Sequence, residues 1–324
     1  MSCNIRAVAI AACAALLIAP APLKAQEYPA RPITIIVGFP AGGSTDAAMR
    51  ILQEPMSKTL GQQLIIDNRS GAGGTVGAAA VANAQPDGYT LLYTVNAALT
   101  MNKYMQKNFP FDPKTAFAPV GVASDVVLAL AVNSKMPVNT VEELIAYARK
   151  NPGKLSYGSS GVGSGHHICA ELLKQKTGID MVHVPYRGGA PAVQDLVAGN
   201  IQVAFGTLPA LLPHAASGSI RIIASGEKGR LAEFPNLPAV NEIVPGVYNI
   251  GWSGLLAPAG TPKVIVDKLN AAMIAALKLP DVQEKMKIQG LVPLSDTPTE
   301  FASLISNEVD YWGKVIPAIG IQAE

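Results

Sequence analysis

The chain has 324 residues with 25 basic and 23 acidic side chains, and a formal charge of +2 offers no basic surface for nucleic acid or anionic lipid. Its apolar share of 49% is enough for a packed core. One core rarely grows past about 250–300 residues, so two lobes are expected.

In chain order, the first segment reads as a leader. Arg6 precedes an apolar run from Ala7 to Leu17, and "APAPLKAQ" then breaks any helix and supplies small residues. This is the plan of a secretory signal cleaved after Ala25 (segment 1–25), too short and too proline-rich to anchor in a membrane. Cleavage removes Arg6 and Lys24 and no acid, which leaves 23 basic and 23 acidic residues. It also removes Cys3 and Cys13, so Cys169 alone remains and no internal disulfide is expected.

From Pro32, short β-branched runs alternate with amphipathic stretches. "PITIIVGFP" reads as a strand and "STDAAMRILQEPMSKTLG" as a helix closed by Gly61. "QQLIIDNR", "GTVGAAAVANA" and "GYTLLYTV" follow as strand, helix and strand. Pro55 is expected to kink or shorten the first helix, because it removes a backbone hydrogen bond. A second series follows "VVLALAVN". Its helices are "TVEELIAYARKN", "GHHICAELLKQKTG" and "APAVQDLVAGN"; its strands are "KLSYGSS", "MVHVPYRG", "IQVAFGT" and "SIRIIASGEKG". Thr140 with Glu143 signals a capping box. Near-continuous apolar strands suggest parallel pairing in an α/β layered fold with right-handed crossovers. Extended runs at Ala118–Asn133 and Ile220–Glu227 suggest a double crossing between the lobes, with a cleft between them. "WSGLLAPAGTP", a helix from about Lys263 to Leu277 and a last helix around Thr299–Val315 complete the chain.

Three glycine-rich turns sit where a strand's carboxyl end runs into a helix: "FPAGGSTD", "NRSGAGGTVG" and "YGSSGVGSGHH". Ligand crevices of open α/β sheets lie at such strand ends. Helix N-termini leave N–H groups free to hold an anion, and glycine lets the backbone approach it. The first and third turns read as a facing pair of anion cradles, and the middle one as structural. A catalytic reading fails on spacing. Ser160 has Gly158 before it but Val162 after it, and Ser164 is flanked by Val162 and His166, so neither is a nucleophile elbow. "GVGSG" lacks the lysine of a P-loop, and the glycines at 71, 73 and 77 are one residue too widely spaced for a dinucleotide fingerprint. His166, His167 and Cys169 do not converge on one ion from a helix. His167 reads either as a cleft-lining hydrogen bonder or as a packed ring, and Cys169 as a buried small residue.

Taken together, "VGFPAGGSTDAAMR", "IIDNRSGAGGTVGAAAVANAQPDGYTLL", "YGSSGVGSGHHICAELL", "HVPYRGGAPAVQDLVAGNIQVAF" and "GLLAPAGTP" resemble the Bug-type (TctC-like) periplasmic solute-binding proteins of tripartite tricarboxylate transporters, over essentially the whole mature chain. The resemblance implies a two-lobed periplasmic-binding-protein (type II) fold, each lobe a mixed, mostly parallel sheet flanked by helices. Lobe 1 would comprise 26–123 and 225–324, and lobe 2 124–224. It implies a periplasmic monomer without catalytic, metal or cofactor sites. Its partners would be a small carboxylate and the permease subunits, and not nucleic acid. Carried over residue by residue, the first turn supplies Phe39, Ala41, Gly42, Gly43, Ser44, Thr45 and Asp46. The second supplies Ser159, Ser160, Gly161, Gly163 and Ser164, with His167 at the family's histidine position; Tyr186, Arg187 and Gly188 match a third segment. Specificity is expected deeper in the cleft, at Thr94, Ala97 and Thr207. The family often carries acids around "IQVAFGT", where this chain has Gln202, Gly206 and Thr207, which points to an organic acid without a cationic group. A sensor subunit presenting its ligand to a signalling partner is the alternative within binding proteins.

Overall fold

The computed structural model describes residues 28–248, 251–289 and 291–318. The expected leader over 1–25 lies outside them. The strand β1 (Ile33–Val37) is buried on both faces. Ile33, Ile35 and Val37 pack into one cluster with Ala48, Met49, Leu52 and Met56 of helix α1 (Ser44–Leu60). Ile36 points the other way, into a cluster with Ala78 and Val81 of α2 (Thr75–Ala82). The period of two in the strand and the i, i+3/i+4 spacing in the helix thus meet in the same core. Each such aliphatic side chain contributes about 1.5–3 kcal/mol when fully buried.

Helix α1 is not shortened at Pro55; it runs on to Leu60 and ends on Gly61, whose φ of 72° is the left-handed cap a glycine adopts without strain. The bond that Pro55 cannot donate is one of many, and buried Leu52, Met56 and Leu60 on either side of it hold the helix to the sheet.

Two mixed sheets result. The first has the order β11-β4-β10-β3-β1-β2, with β2 (Leu64–Asn68), β3 (Thr90–Val95), β4 (Phe117–Val126), β10 (Trp252–Pro258) and β11 (Leu291–Pro293). The second has the order β7-β6-β8-β5-β9, with β5 (Leu128–Asn133), β6 (Leu155–Ser159), β7 (Met181–Pro185), β8 (Val203–Thr207) and β9 (Ile220–Ser225). Pairing is parallel around β1 and β6, but β10 runs antiparallel to β3 and β4, and β5 antiparallel to β8 and β9. The parallel share is therefore smaller than the apolar strands suggested: an antiparallel strand buried on both faces shows the same apolar run. Helices α3 (Val141–Lys150), α4 (Gly165–Thr177), α5 (Gly189–Ala198) and α6 (Leu208–Ala216) flank the second sheet. Thr140 caps α3 by accepting the Glu143 N–H at 3.2 Å, while the Glu143 carboxylate reaches back to the N–H of Asn139 at 2.6 Å.

The chain changes sheet at Val127: Val126 still pairs with Leu291, and Leu128 already pairs with Thr207. The second crossing is not the run Ile220–Glu227. That run ends as edge strand β9, and the return takes the long segment from Gly226 to Gly251, which includes α7 (Val240–Ile243). The two crossings are stitched together by Val126 N–H to Gly251 O at 2.9 Å and Gly226 N–H to Leu128 O at 2.7 Å. After α8 (Lys263–Leu277) and α9 (Pro280–Ile288), helix α10 (Pro298–Ala318) contributes to both cores. Phe301, Ile305 and Val309 join the cluster of Ile36, and Trp312 and Ile316 join the cluster of the second sheet. Among the described residues no helix is long and apolar enough to cross a membrane.

Candidate functional site

A cavity of about 250 Å³ opens where the carboxyl ends of strands from both sheets face each other. Four helices start on its wall, α6 through Thr207, Pro209 and Ala210. The first-turn residues Ser44 and Thr45 of α1, Gly165 and His166 of α4, and Gly189 and Ala190 of α5 all line it. The N–H groups of a helix's first turn have no acceptor within the helix, so these residues turn backbone donors and positive dipole ends toward one space. No aspartate or glutamate lines the cavity, and Arg187 is its one formal charge among the described residues. Arg187 makes no ion pair among the described residues. Ser160 and Thr207 line the same space, and among the described residues their hydroxyls have no hydrogen-bond partner. The far wall is apolar: Val95, Ala97, Val126, Leu128, Val193 and Pro209.

Of the expected residues, Phe39, Ala41, Gly42, Gly43, Ser44, Thr45, Ala97, Ser160, Ser164, Arg187, Gly188 and Thr207 lie on this wall. Gly161 and Tyr186 instead border a second cavity of about 510 Å³, which shares Phe39, Pro40, Gly73, Ser160, Arg187 and Gly188 with the first, so the middle glycine turn also reaches the site. The Tyr186 hydroxyl is already used, donating to Asp195 at 2.6 Å.

Asp46, Thr94, Ser159, Gly163 and His167 do not reach the cavity. Asp46 is 1% exposed and builds the turn from behind, accepting from the Gly42 amide at 2.9 Å, Arg50 at 2.7 Å and Asn68 at 2.9 Å. Burial alone would raise its pKa; these hydrogen bonds outweigh it, and the carboxyl lies below its usual range. The Gly42 amide is thereby spent, and the Gly43 amide bonds Pro40 O at 3.3 Å, so the donors left to a ligand in this turn are those of Ala41, Ser44 and Thr45. Thr94 is fully buried in β3. Ser159 pins its own turn, with its hydroxyl 2.7 Å from His183 Nε2 and accepting the Gly161 amide at 3.1 Å. Ser164 lines the wall, yet its hydroxyl donates to Gly161 O at 2.7 Å and accepts the His167 N–H at 3.3 Å as a helix cap.

His167 is the packed ring of the two alternatives. It stacks on His183 with centroids 4.1 Å apart, His183 in turn stacks on Tyr157 at 4.8 Å, and its Nδ1 accepts the Gly163 amide at 3.3 Å. Burial pushes the His167 and His183 pKa values down to about 4. The neighbouring His166 faces the cavity instead. Two histidines in a row gave no means of choosing between them, since successive helical positions differ by about 100° and the orientation of α4 comes from packing. The apolar wall from Val126 and Leu128 was equally hidden, because a strand that changes sheets reads like any buried strand. Cys169 is fully buried and its thiol pKa is raised by burial, so it is unreactive. Among the described residues no group of three or more His, Cys, Asp or Glu could hold a metal ion.

Comparison with known proteins places this geometry in a family. The family model described as tripartite tricarboxylate transporter family receptor matches residues 48–321. The solved structure of the periplasmic binding protein BugD is 33% identical, covers 92% of this chain and all of its own, and superposes with a TM-score of 0.86. Rpa4515 of R. palustris, solved with adipate, is 35% identical with coverage of 92% and 100% and a TM-score of 0.87. MatC from Rhodopseudomonas palustris, solved with bound malate, is 31% identical with coverage of 89% and 100% and a TM-score of 0.84.

Proposed function

The chain belongs to the tripartite tricarboxylate transporter receptor family, and on that premise we propose that it captures a small carboxylate between its two sheets and hands it to the permease of such a transporter. The observation that carries this reading is the convergence of four helix N-termini on one cavity free of carboxylates. An organic acid entering there finds the first-turn amides of α1, α4 and α5 and the hydroxyls of Ser160 and Thr207. Charge-assisted hydrogen bonds contribute about 1.5–3 kcal/mol each and micromolar capture needs about 8 kcal/mol, so four such bonds suffice. The apolar wall takes the carbon skeleton, and the guest leaves chemically unchanged. The relatives solved with adipate and malate support a carboxylate as the class of guest.

In this reading the two lobes, one built on each sheet, close about the crossings at Val127 and Gly226–Gly251, and a guest that touches both lobes shifts the population toward the closed form. The protein works in the periplasm after a leader ending near Ala25 is removed. A thermal-shift screen of carboxylates against their neutral amides at fixed pH tests the reading, since binding to the native state raises the melting temperature. At least one acid should raise it while its amide does not. A library in which no acid acts, or in which amides act equally, rejects the carboxylate reading.

A further inference from the structure

His166 is 7% exposed, lies on the cavity wall, and has no hydrogen-bond partner on either ring nitrogen among the described residues; its Nδ1 is sealed from water. Its neighbour His167 is the contrast: stacked, with Nδ1 occupied by the Gly163 amide. One histidine of the pair is built into the core and the other is left unsatisfied in the binding space. The His166 ring lies beside the start of α5, where a side-chain carbon on Gly189 would meet its Cε1 at 3.5 Å. Burial pushes its pKa down to about 4, so near neutral pH the ring is uncharged and carries one N–H donor and one acceptor nitrogen. Its Nε2, which also lacks a partner but is not sealed, is the ring nitrogen open to the cavity. A buried polar group without a partner is costly, and a guest that supplies the partner removes that cost.

We propose that His166 is the specificity-determining residue of this site, and that it selects a carboxylate bearing a hydroxyl group, which it engages by a neutral hydrogen bond while the helix ends hold the carboxylate. This rests on the carboxylate reading above and narrows it. A hydroxyl both donates and accepts, so it satisfies the imidazole in either tautomer; a plain hydrocarbon chain leaves it unsatisfied. The cavity holds a separate set of groups for each end of such a guest: backbone amides for the charge, His166 for the hydroxyl.

The test is calorimetry on matched acids that differ by one hydroxyl: malate and succinate, 3-hydroxybutyrate and butyrate, 4-hydroxybenzoate and benzoate. Wild type should bind the hydroxylated member of at least one pair about tenfold more tightly. In His166→Phe that ratio should fall to about one, because the hydroxylated acid loses more affinity than its match, and in His166→Gln, which keeps a donor and an acceptor, part of it should survive. A wild-type ratio near one for every pair that binds overturns the proposal, and so does a ratio unchanged in His166→Phe. If the phenylalanine variant does not fold, a His166→Gln ratio identical to wild type overturns it as well. Failure of every acid to bind wild type sinks the carboxylate reading itself, an outcome distinct from binding without preference for the hydroxyl.

Discussion

Gly163 and Asn102, carried by opposite sheets, meet so closely that a side-chain carbon on Gly163 would collide with the Asn102 amide oxygen. Asn102 is fully buried, and its Nδ2 is placed to donate to Ala72 O at 3.3 Å, Gly73 O at 3.2 Å and Thr75 Oγ1 at 3.1 Å. Beside it, a carbon on Gly73 would come within 3.2 Å of Val162 O. The turn "SGAGG" is therefore a surface on which the second sheet's glycine turn rests.

Gly163→Ala should hold the two sheets apart at this contact. Gly163 has φ of 80°, and a non-glycine residue there costs about 1–2 kcal/mol in addition to the collision. The expected outcome is at least about a tenfold loss of affinity with a larger radius of gyration in the presence of ligand. Small-angle scattering with calorimetry checks it, and wild-type values in both would show that the contact does not govern closure.

Gly42→Asp and Ser160→Asp each place a carboxylate against the carboxylate the cavity is proposed to hold. Gly42 has open space around its Cα, and aspartate tolerates its φ of 81°. Binding should be lost while the melting temperature moves by no more than about 4 °C. Retained affinity in either variant counts against the position it alters.

Asp46 couples fold to site. Its folded pKa is depressed by the bonds from Arg50, the Gly42 amide and Asn68, so its stabilisation is present above the ordinary aspartate range and is lost as pH falls through the folded value. Asp46→Ala should cost about 1–3 kcal/mol near neutral pH and less under acid, and it should weaken binding by releasing the Phe39–Gly43 turn. Melting curves against pH check the first part, and a cost that grows as pH falls contradicts it.

The opposite sign holds at the crossings. Glu227 is pushed up to about 8 by burial and then by Asp125, and Asp125 is raised to about 6 by burial. A carboxyl with a raised folded pKa keeps its proton when the unfolded chain has lost it, so stability falls as pH rises from the ordinary glutamate range to about 8. Glu227→Gln keeps an oxygen to accept the Leu128 N–H, now bonded at 3.2 Å, and removes the titration. The variant should lose less melting temperature than wild type between acid and mildly alkaline pH; parallel curves would refute the assignment.

Read along the chain, the element order was legible because each strand and helix carries its own period: β1 with α1, and β6 with α4, follow directly from "ITIIV", "AAMRILQEPM" and their glycine stops. That the first and third glycine turns lie on one cavity was legible as well, since both stand at the carboxyl ends of strands running into helices. Helices α6 and α9 and the short β11 were not: two prolines, Pro209 and Pro213, mask α6, and a polar stretch of helix and three residues of edge strand carry too little pattern.

By itself the sequence determined that this is a layered α/β chain whose glycine turns stand where strands run into helices, because backbone periodicity and glycine's freedom are local properties. Only the tertiary structure decided that His166 and not His167 lines the cavity, that Asp46 and Ser159 build the turns from behind, that α10 serves both cores, and that Gly163 rests on Asn102. Those outcomes depend on how helices rotate and sheets approach, and that is set by packing between residues far apart in the chain.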